Sequence, residues 1–315
     1  MSESYDCVII GGGPGGICAA IYAVRSGMKT VMVEKLGVGG QIALSDVIEN
    51  YPGFPSLSGG ELMAKFEEHA RGIGVEIRYT EVSAVVVDGD KRIVKTGGGD
   101  IEATSVIVTT GAEPKRLGFA GESEFVGRGV STCATCDGPF YRNKPVAVIG
   151  GGDTAVKEAI YLSKLASHVH VIHRRDRFRA EKVLQDRIAS RENVTVHWRS
   201  VSEEVLGEQS GVTGLRIKSL ETDATEDLVV DGVFVFVGIV PNTGFVDCDK
   251  DEQGFIAVDE NMMTSIPGVF AAGDCRVTPL RQVVTAVGDA AIAAAKAEEY
   301  VSERDGSSYA QAPIR

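Results

Sequence analysis

Apolar residues in this chain come in short runs bounded by glycine, not in long amphipathic stripes. Cys7 to Ile10, Thr30 to Val33, Val106 to Val108, Val146 to Ile149 and Val233 to Val237 are such runs, and His168 to His173 alternates histidine with valine and isoleucine. Runs of this length predict strands, and continuously apolar ones suit a parallel sheet covered on both faces. A helical stretch from Ile17 to about Ser26 joins the first two runs, and Gly27 ends it. A second helical stretch, reaching about Ala166, joins the strand at Val146 to the strand at His168. Strand, turn, helix and strand therefore occur twice. The pattern predicts an α/β fold with two Rossmann-like dinucleotide-binding domains.

Both turns carry chemistry. The first, Gly11-Gly12-Gly13-Pro14-Gly15-Gly16, is GxGxxG with Gly11, Gly13 and Gly16 in its three slots, and Glu34 closes the next strand 18 residues after Gly16. A strand before, a helix after and an acid about 20 residues on form the dinucleotide fingerprint. The glycines admit a pyrophosphate, the helix start stabilises its charge, and Glu34 can accept ribose hydroxyls. The second turn, Gly150-Gly151-Gly152-Asp153-Thr154-Ala155, is GxGxxA. His173 lies as far after Gly150 as Glu34 does after Gly11, 23 residues, and opens the run His173-Arg174-Arg175-Asp176-Arg177-Phe178-Arg179. Replacing the carboxylate by arginines converts a ribose-hydroxyl site into a 2′-phosphate site. Two such sites in one chain fit FAD and NADPH better than two nicotinamides, because electrons must pass between them.

A further repeat marks the domain edges. Val106 to Pro114 and Val233 to Pro241 each read as a strand ending in glycine, with proline three residues later. Read as linkers, they place an NADPH-binding domain at 115–241, inserted in a discontinuous FAD-binding domain at 1–114 and 242–315. Gly268 to Cys275 reads as a short apolar strand ending in Asp274 at a cofactor edge.

Composition narrows the function. The formal charge is −12 over 315 residues, which disfavours nucleic acid and anionic membrane surfaces. No apolar run approaches the roughly 18 residues of a membrane span. The first residues have no basic signal region, so a cytoplasmic location is expected. Of six cysteines, Cys7, Cys18, Cys248 and Cys275 are isolated and assigned no redox work; Cys7 and Cys18 read as buried small apolar residues, Cys275 follows the cofactor-edge motif and Cys248 sits in a polar loop, whereas Cys133 and Cys136 form a CxxC 14 residues before Gly150. A structural zinc site needs four ligands, and neither a second CxxC nor a matching histidine pair exists. A redox disulfide at a helix start, where a thiolate is stabilised, is the better reading. Asp137 beside it is placed to shuttle a proton, or else to cap the helix.

The segments IGGGPGG at 10–16, CATCDG at 133–138, GGGDTA at 150–155, HRRDRFRA at 173–180 and AAGDC at 271–275 make the chain resemble the low-molecular-weight thioredoxin reductases from about Tyr5 to about Ser302. These are FAD-containing pyridine nucleotide-disulfide oxidoreductases. The position of the CxxC between the two glycine motifs is diagnostic, since glutathione-reductase-like relatives place their pair in the FAD domain. The resemblance implies electron flow from NADPH through FAD and the Cys133–Cys136 disulfide to thioredoxin. It implies that Cys133 attacks thioredoxin, that Cys136 lies nearer the flavin, and that Asp137 is the acid–base group. Gly11, Gly13, Gly16, Glu34, Gln41, Asn50, Gly273, Asp274, Arg281 and Gln282 match FAD-site positions. Gly150, Gly152, Asp153, Thr154, Ala155, His173, Arg174, Arg175 and Arg179 are assigned to NADPH, with the three arginines on the 2′-phosphate. A homodimer is implied, as is rotation of one domain about linkers at 111–116 and 238–244. The chain departs from the family in carrying Gly15 where many members have alanine. Its end, Gly306 to Arg315, shows no match and is expected to be a disordered tail. Two alternatives remain. One is the reductase of a peroxiredoxin-type system, although such proteins carry an extra N-terminal redox domain, for which this chain leaves no room before its first glycine motif. The other is a non-catalytic flavin electron-transfer module. A ferredoxin–NADP reductase of similar fold would lack the CxxC.

Overall fold

The structure, a computed structural model, describes residues 4–45 and 47–306; all of the expected tail beyond Gly306 lies outside the described residues. The chain separates into two compact units, one formed by 1–113 with 240–315 and the other by 114–239. Both are α/β and built on parallel strands, and the second is inserted in the first.

In the first unit the strand Ser4–Ile10 lies between Thr30–Glu34 and Ile101–Val108 and runs parallel to both, with Val8 opposite Val31 and Val106. Glu76–Tyr79 extends one edge in parallel. The antiparallel strands Lys91–Thr96 and Val82–Asp88 extend the other. Val269–Ala271 adds a parallel neighbour to Ile101–Val108. Alternation along the central strand decides which face each side chain covers. Cys7 and Ile9 pack with Ile107, Phe270 and the alanine-rich helices Pro14–Arg25 and Val283–Asp305, while Val8 and Ile10 enter a second core with Val31, Val106 and Val269. Burial on both faces explains why these strands are apolar throughout.

The inserted unit holds five parallel strands in the order Val194–Trp198, His168–His173, Pro145–Gly150, Gly232–Phe236 and Val130–Ser131. Helices Asp153–Leu162 and Lys182–Ala189 cover one face through Val156, Ala159, Leu184 and Ile188. A three-stranded antiparallel sheet of Ser200–Glu208, Gly211–Ser219 and Thr225–Leu228 covers the other through Val205, Leu215, Ile217 and Leu228.

Three boundaries differ from the sequence reading. The first helix begins at Pro14, not Ile17, since proline is preset for a first helical turn. The helix from Asp153 ends at Leu162 rather than near Ala166; the Ser163 hydroxyl donates to the Ile160 carbonyl at 2.8 Å, competing with continued helix. The strand leading to Asp274 stops at Ala271, and a tight turn at Gly273–Cys275 carries Asp274 off the sheet.

Candidate active site

The first glycine turn is held from two sides. Gly11 has φ +107°, and a Cβ there would lie 2.6 Å from the Thr109 carbonyl oxygen. A Cβ on Gly16 would lie 1.8 Å from the Gly11 carbonyl oxygen, so the third slot must be glycine for the helix to reach the strand. The buried Thr109 hydroxyl sits 2.9 Å from the Ile10 carbonyl and 3.0 Å from that of Gly11, fastening the start of the turn. Gly13 is different. Its φ is −75°, and a Cβ would meet nothing nearer than the Gly40 Cα at 4.0 Å. The open space lies at a helix start whose amides have no intrahelical partner, which suits a pyrophosphate. Glu34 accepts from the Gly12 amide at 2.6 Å and from the Leu36 amide at 3.0 Å. A carboxylate has about four lone-pair sites, so capacity remains for hydroxyls. Gln41 opens a short turn at 41–44, next to the Gly39–Gly40 loop that bonds to Gly12.

Gly273, Asp274, Arg281, Gln282 and Asn50 gather in the same unit. Asn50 donates to the Gln282 side chain at 3.0 Å, and Gln282 caps the helix Val283–Asp305. Arg281 is half-buried, with its guanidinium 4.2 Å from the Phe255 ring centroid. Burial holds Arg281 below the ordinary arginine range, opposed by the nearby Asp274. Burial likewise raises Asp274 to about 6, opposed by Arg281 and reinforced by Asp289. Beneath them lies a pair absent from the sequence reading. Asp289 accepts from Arg276 Nε at 2.7 Å, Arg276 Nη2 at 2.6 Å and the Gly273 amide at 3.1 Å. An aspartate on the buried side of an alanine-rich helix, behind an arginine next to a GDC turn, was the available signal for it.

The second glycine turn repeats the first with altered chemistry. Gly150 has φ +149°, and a Cβ there would meet the Phe236 carbonyl oxygen at 2.5 Å. Gly152, like Gly13, has nothing within 4 Å of where its Cβ would be. Asp153 accepts from the Glu181 amide at 2.8 Å, Thr154 is exposed beside it, and Ala155 is buried against Gly150. His173 is buried, with its ring under Gly151 just as Glu34 lies beside Gly12. It bonds to the Arg177 carbonyl at 3.1 Å. Burial lowers the pKa of His173, and the charges of Arg175, Arg179 and Arg174 add to that; the neutral ring shapes the turn while the arginines stand outside it. Arg174, Arg175 and Arg179 are exposed, and among the described residues none forms an ion pair with them. This is a strong local cation with room for an anion.

Cys133 and Cys136 form a disulfide with Cα atoms 5.3 Å apart. The pair sits on the single turn Ala134–Asp137, which packs against the helix Asp153–Leu162; at the contact, a Cβ on Gly138 would meet the Leu162 side chain at 3.1 Å. The Cys133 amide donates to Ser131 Oγ at 3.0 Å, and the Cys136 amide donates to Cys133 Sγ at 3.2 Å. The Thr135 hydroxyl is 3.4 Å from the same sulfur. These groups favour negative charge on Cys133 once the bond opens. Asp137 ends the turn, half-buried. The other four cysteines are free thiols. Burial pushes Cys7 and Cys275 up to about 12 and Cys18 to about 11, so these three are protonated at neutral pH.

Known proteins are similar to this chain over nearly its whole length. Residues 5–290 match the pyridine nucleotide-disulphide oxidoreductase family. The chain is 44% identical over 310 residues to a thioredoxin reductase of Listeria monocytogenes, covering 98% of this chain and 97% of that protein. It is 45% identical over 303 residues to one of Treponema pallidum, covering 96% and 98%. A crystal structure of thioredoxin reductase from Streptococcus pyogenes aligns with a TM-score of 0.93 at 43% identity, covering 96% of this chain and 100% of that one.

Proposed function

The chain belongs to the pyridine nucleotide-disulphide oxidoreductase family and is a flavin-dependent thioredoxin reductase; from this premise we propose how its residues divide the work. Gly11, Gly13 and Gly16 with the helix start at Pro14 hold the pyrophosphate of FAD, Glu34 its ribose, and Asn50, Asp274, Arg281 and Gln282 the remainder. Gly150, Gly152 and the helix start at Asp153 hold the pyrophosphate of NADPH, and Arg174, Arg175 and Arg179 its 2′-phosphate. Bound FAD supplies the two-electron carrier that accepts hydride from NADPH and reduces a disulfide. The Cys133–Cys136 bond takes up the two electrons and becomes a dithiol. The Cys133 thiolate then attacks one sulfur of the thioredoxin disulfide, breaking that bond and forming a mixed disulfide. Cys136 attacks Cys133, which restores the internal bond and releases reduced thioredoxin. Asp137 delivers a proton to the leaving thiolate.

The observation that carries this reading is the Cys133–Cys136 disulfide itself, with the Cys136 amide aimed at Cys133 Sγ. That amide supports Cys133 as the sulfur that meets thioredoxin. No helix among the described residues is long and apolar enough to cross a membrane. The test separates the two half-reactions. Cys133→Ser and Cys136→Ser should each abolish NADPH-dependent reduction of thioredoxin, while NADPH still bleaches the flavin absorbance at the normal rate. Thioredoxin turnover in either variant above a small fraction of the unmodified protein would overturn the assignment.

A further inference from the structure

The basic loop after His173 carries its own antagonist. Asp176 sits between Arg175 and Arg177, within the segment proposed to receive a 2′-phosphate. A carboxylate there would repel the same anion that the arginines attract. The structure shows where that charge goes. Arg199, at the end of the neighbouring strand Val194–Trp198, reaches Asp176 with Nη2 at 3.3 Å and Glu221 with Nη1 at 2.7 Å. The backbone is arranged for this reach. Arg199 has φ +47°, an uncommon left-handed conformation for arginine. Its amide donates to the Arg175 carbonyl at 3.1 Å, and its own carbonyl accepts from the Leu220 amide at 2.7 Å. One residue earlier, Trp198 packs on Phe178 with ring centroids 4.5 Å apart, and both rings approach His173. Loop 174–178 is thus clipped to the 198–199 corner at three points: a backbone bond, an ion pair and an aromatic contact.

We propose that Arg199 is a positioning residue for coenzyme selection, which draws the Asp176 carboxylate aside and neutralises it so that Arg174, Arg175 and Arg179 face the 2′-phosphate unopposed. The inference rests on the reading that those three arginines hold NADPH. It explains why the run 174–179, with four arginines, tolerates an aspartate, and why a strained corner is kept beside it. Asp176 and Arg199 are both largely exposed, at 61% and 47% of their side-chain surface. Such a pair adds little to fold stability. Its effect falls on the charge an incoming anion meets.

The test is a charge-rescue cycle on the flavin-loaded enzyme, reading kcat and KM for NADPH and NADH. Arg199→Gln replaces the guanidinium with a shorter, neutral amide and adds no new backbone demand at the left-handed position. It should raise KM for NADPH about threefold to fivefold, the upper part of what a single exposed charge contact contributes, with kcat and the NADH constants unchanged. Adding Asp176→Asn to Arg199→Gln should return KM for NADPH to within twofold of the unmodified value. Glu221→Gln, which leaves the Asp176 pair intact, should not alter coenzyme preference. The proposal is overturned if Arg199→Gln leaves KM for NADPH unchanged, if it weakens NADPH and NADH alike, or if Asp176→Asn fails to rescue it. The underlying reading fails separately, if the unmodified enzyme uses NADPH and NADH with equal kcat/KM.

Discussion

Glycines 13 and 16 stand three residues apart in one turn, yet alanine at each should fail for opposite reasons. At Gly16 the added Cβ would lie 1.8 Å from the Gly11 carbonyl oxygen and 2.8 Å from Thr109 Oγ1. Neither neighbour can yield cheaply. The Gly11 carbonyl belongs to the turn, and the Thr109 hydroxyl is buried and already committed to Ile10 and Gly11. The helix must back away from the sheet, opening a core that includes Ile17, Ala19 and Ala20. Overpacking of this kind costs roughly 1–3 kcal/mol, and a clash with backbone belongs at the upper end. Gly13 has an ordinary φ of −75° and open space around its missing Cβ, so Gly13→Ala carries only the loss of a tolerable N-cap, about 1 kcal/mol or less. Its methyl group instead fills the place where the pyrophosphate would approach the helix amides. The assay has two readouts, urea unfolding of flavin-free protein and the dissociation constant for added FAD. Gly16→Ala should lose about 3 kcal/mol of stability before any flavin is added. Gly13→Ala should unfold nearly as the parent does but bind FAD at least tenfold more weakly, since about 1.4 kcal/mol, less than one charge-assisted hydrogen bond, is worth a factor of ten. Parental FAD affinity in Gly13→Ala, or parental stability in Gly16→Ala, would refute the reasoning.

Asp289→Asn should destabilise the first unit by about 2–3 kcal/mol, below the full cost of breaking a buried pair because Arg276 and Asp289 keep 15% and 12% exposure. Urea denaturation checks this, and a loss under about 1 kcal/mol would show that the pair is not holding the Gly273 turn. His170 should give stability a pH slope of definite sign. Burial, with the charges of His168 and His197, holds its imidazole down at about 4, and its Nδ1 lies 3.0 Å from His197 Nε2. An unfolded histidine titrates near 6.5, so between about 6.5 and 4 the unfolded chain binds more protons and stability must fall as pH falls. Melting temperatures across that window should drop less steeply in His170→Gln; an identical slope would exclude His170 as the source.

What the sequence determined by itself was local in origin. Both glycine turns, the strands before them, the CxxC and the arginine run after His173 were legible because each depends on neighbours a few residues away. Backbone freedom at Gly11, the two-faced burial of Val8 and Ile9, and the short cysteine spacing are of this kind. Even the proposal of two different cofactors rests on a local comparison, that of Glu34 with His173 at equal spacing. The tertiary structure decided what those turns rest on. Thr109 is 98 residues from Gly11, yet its hydroxyl fastens the turn. Asp289 secures Gly273 from the buried face of its helix; the alanine pattern marks that face, but not that Arg276 and the Gly273 amide are what it meets there. His173 matched Glu34 in position, but its ring lies buried under Gly151, while Arg174, Arg175 and Arg179 stand exposed outside the turn. Arg199 carries no motif at all. It reaches Asp176 only because strand Val194–Trp198 lies beside His168–His173 in parallel register. Local sequence sets backbone conformation and burial pattern, whereas a charge's partner is set by which strands become neighbours, and that is settled only when the sheet closes.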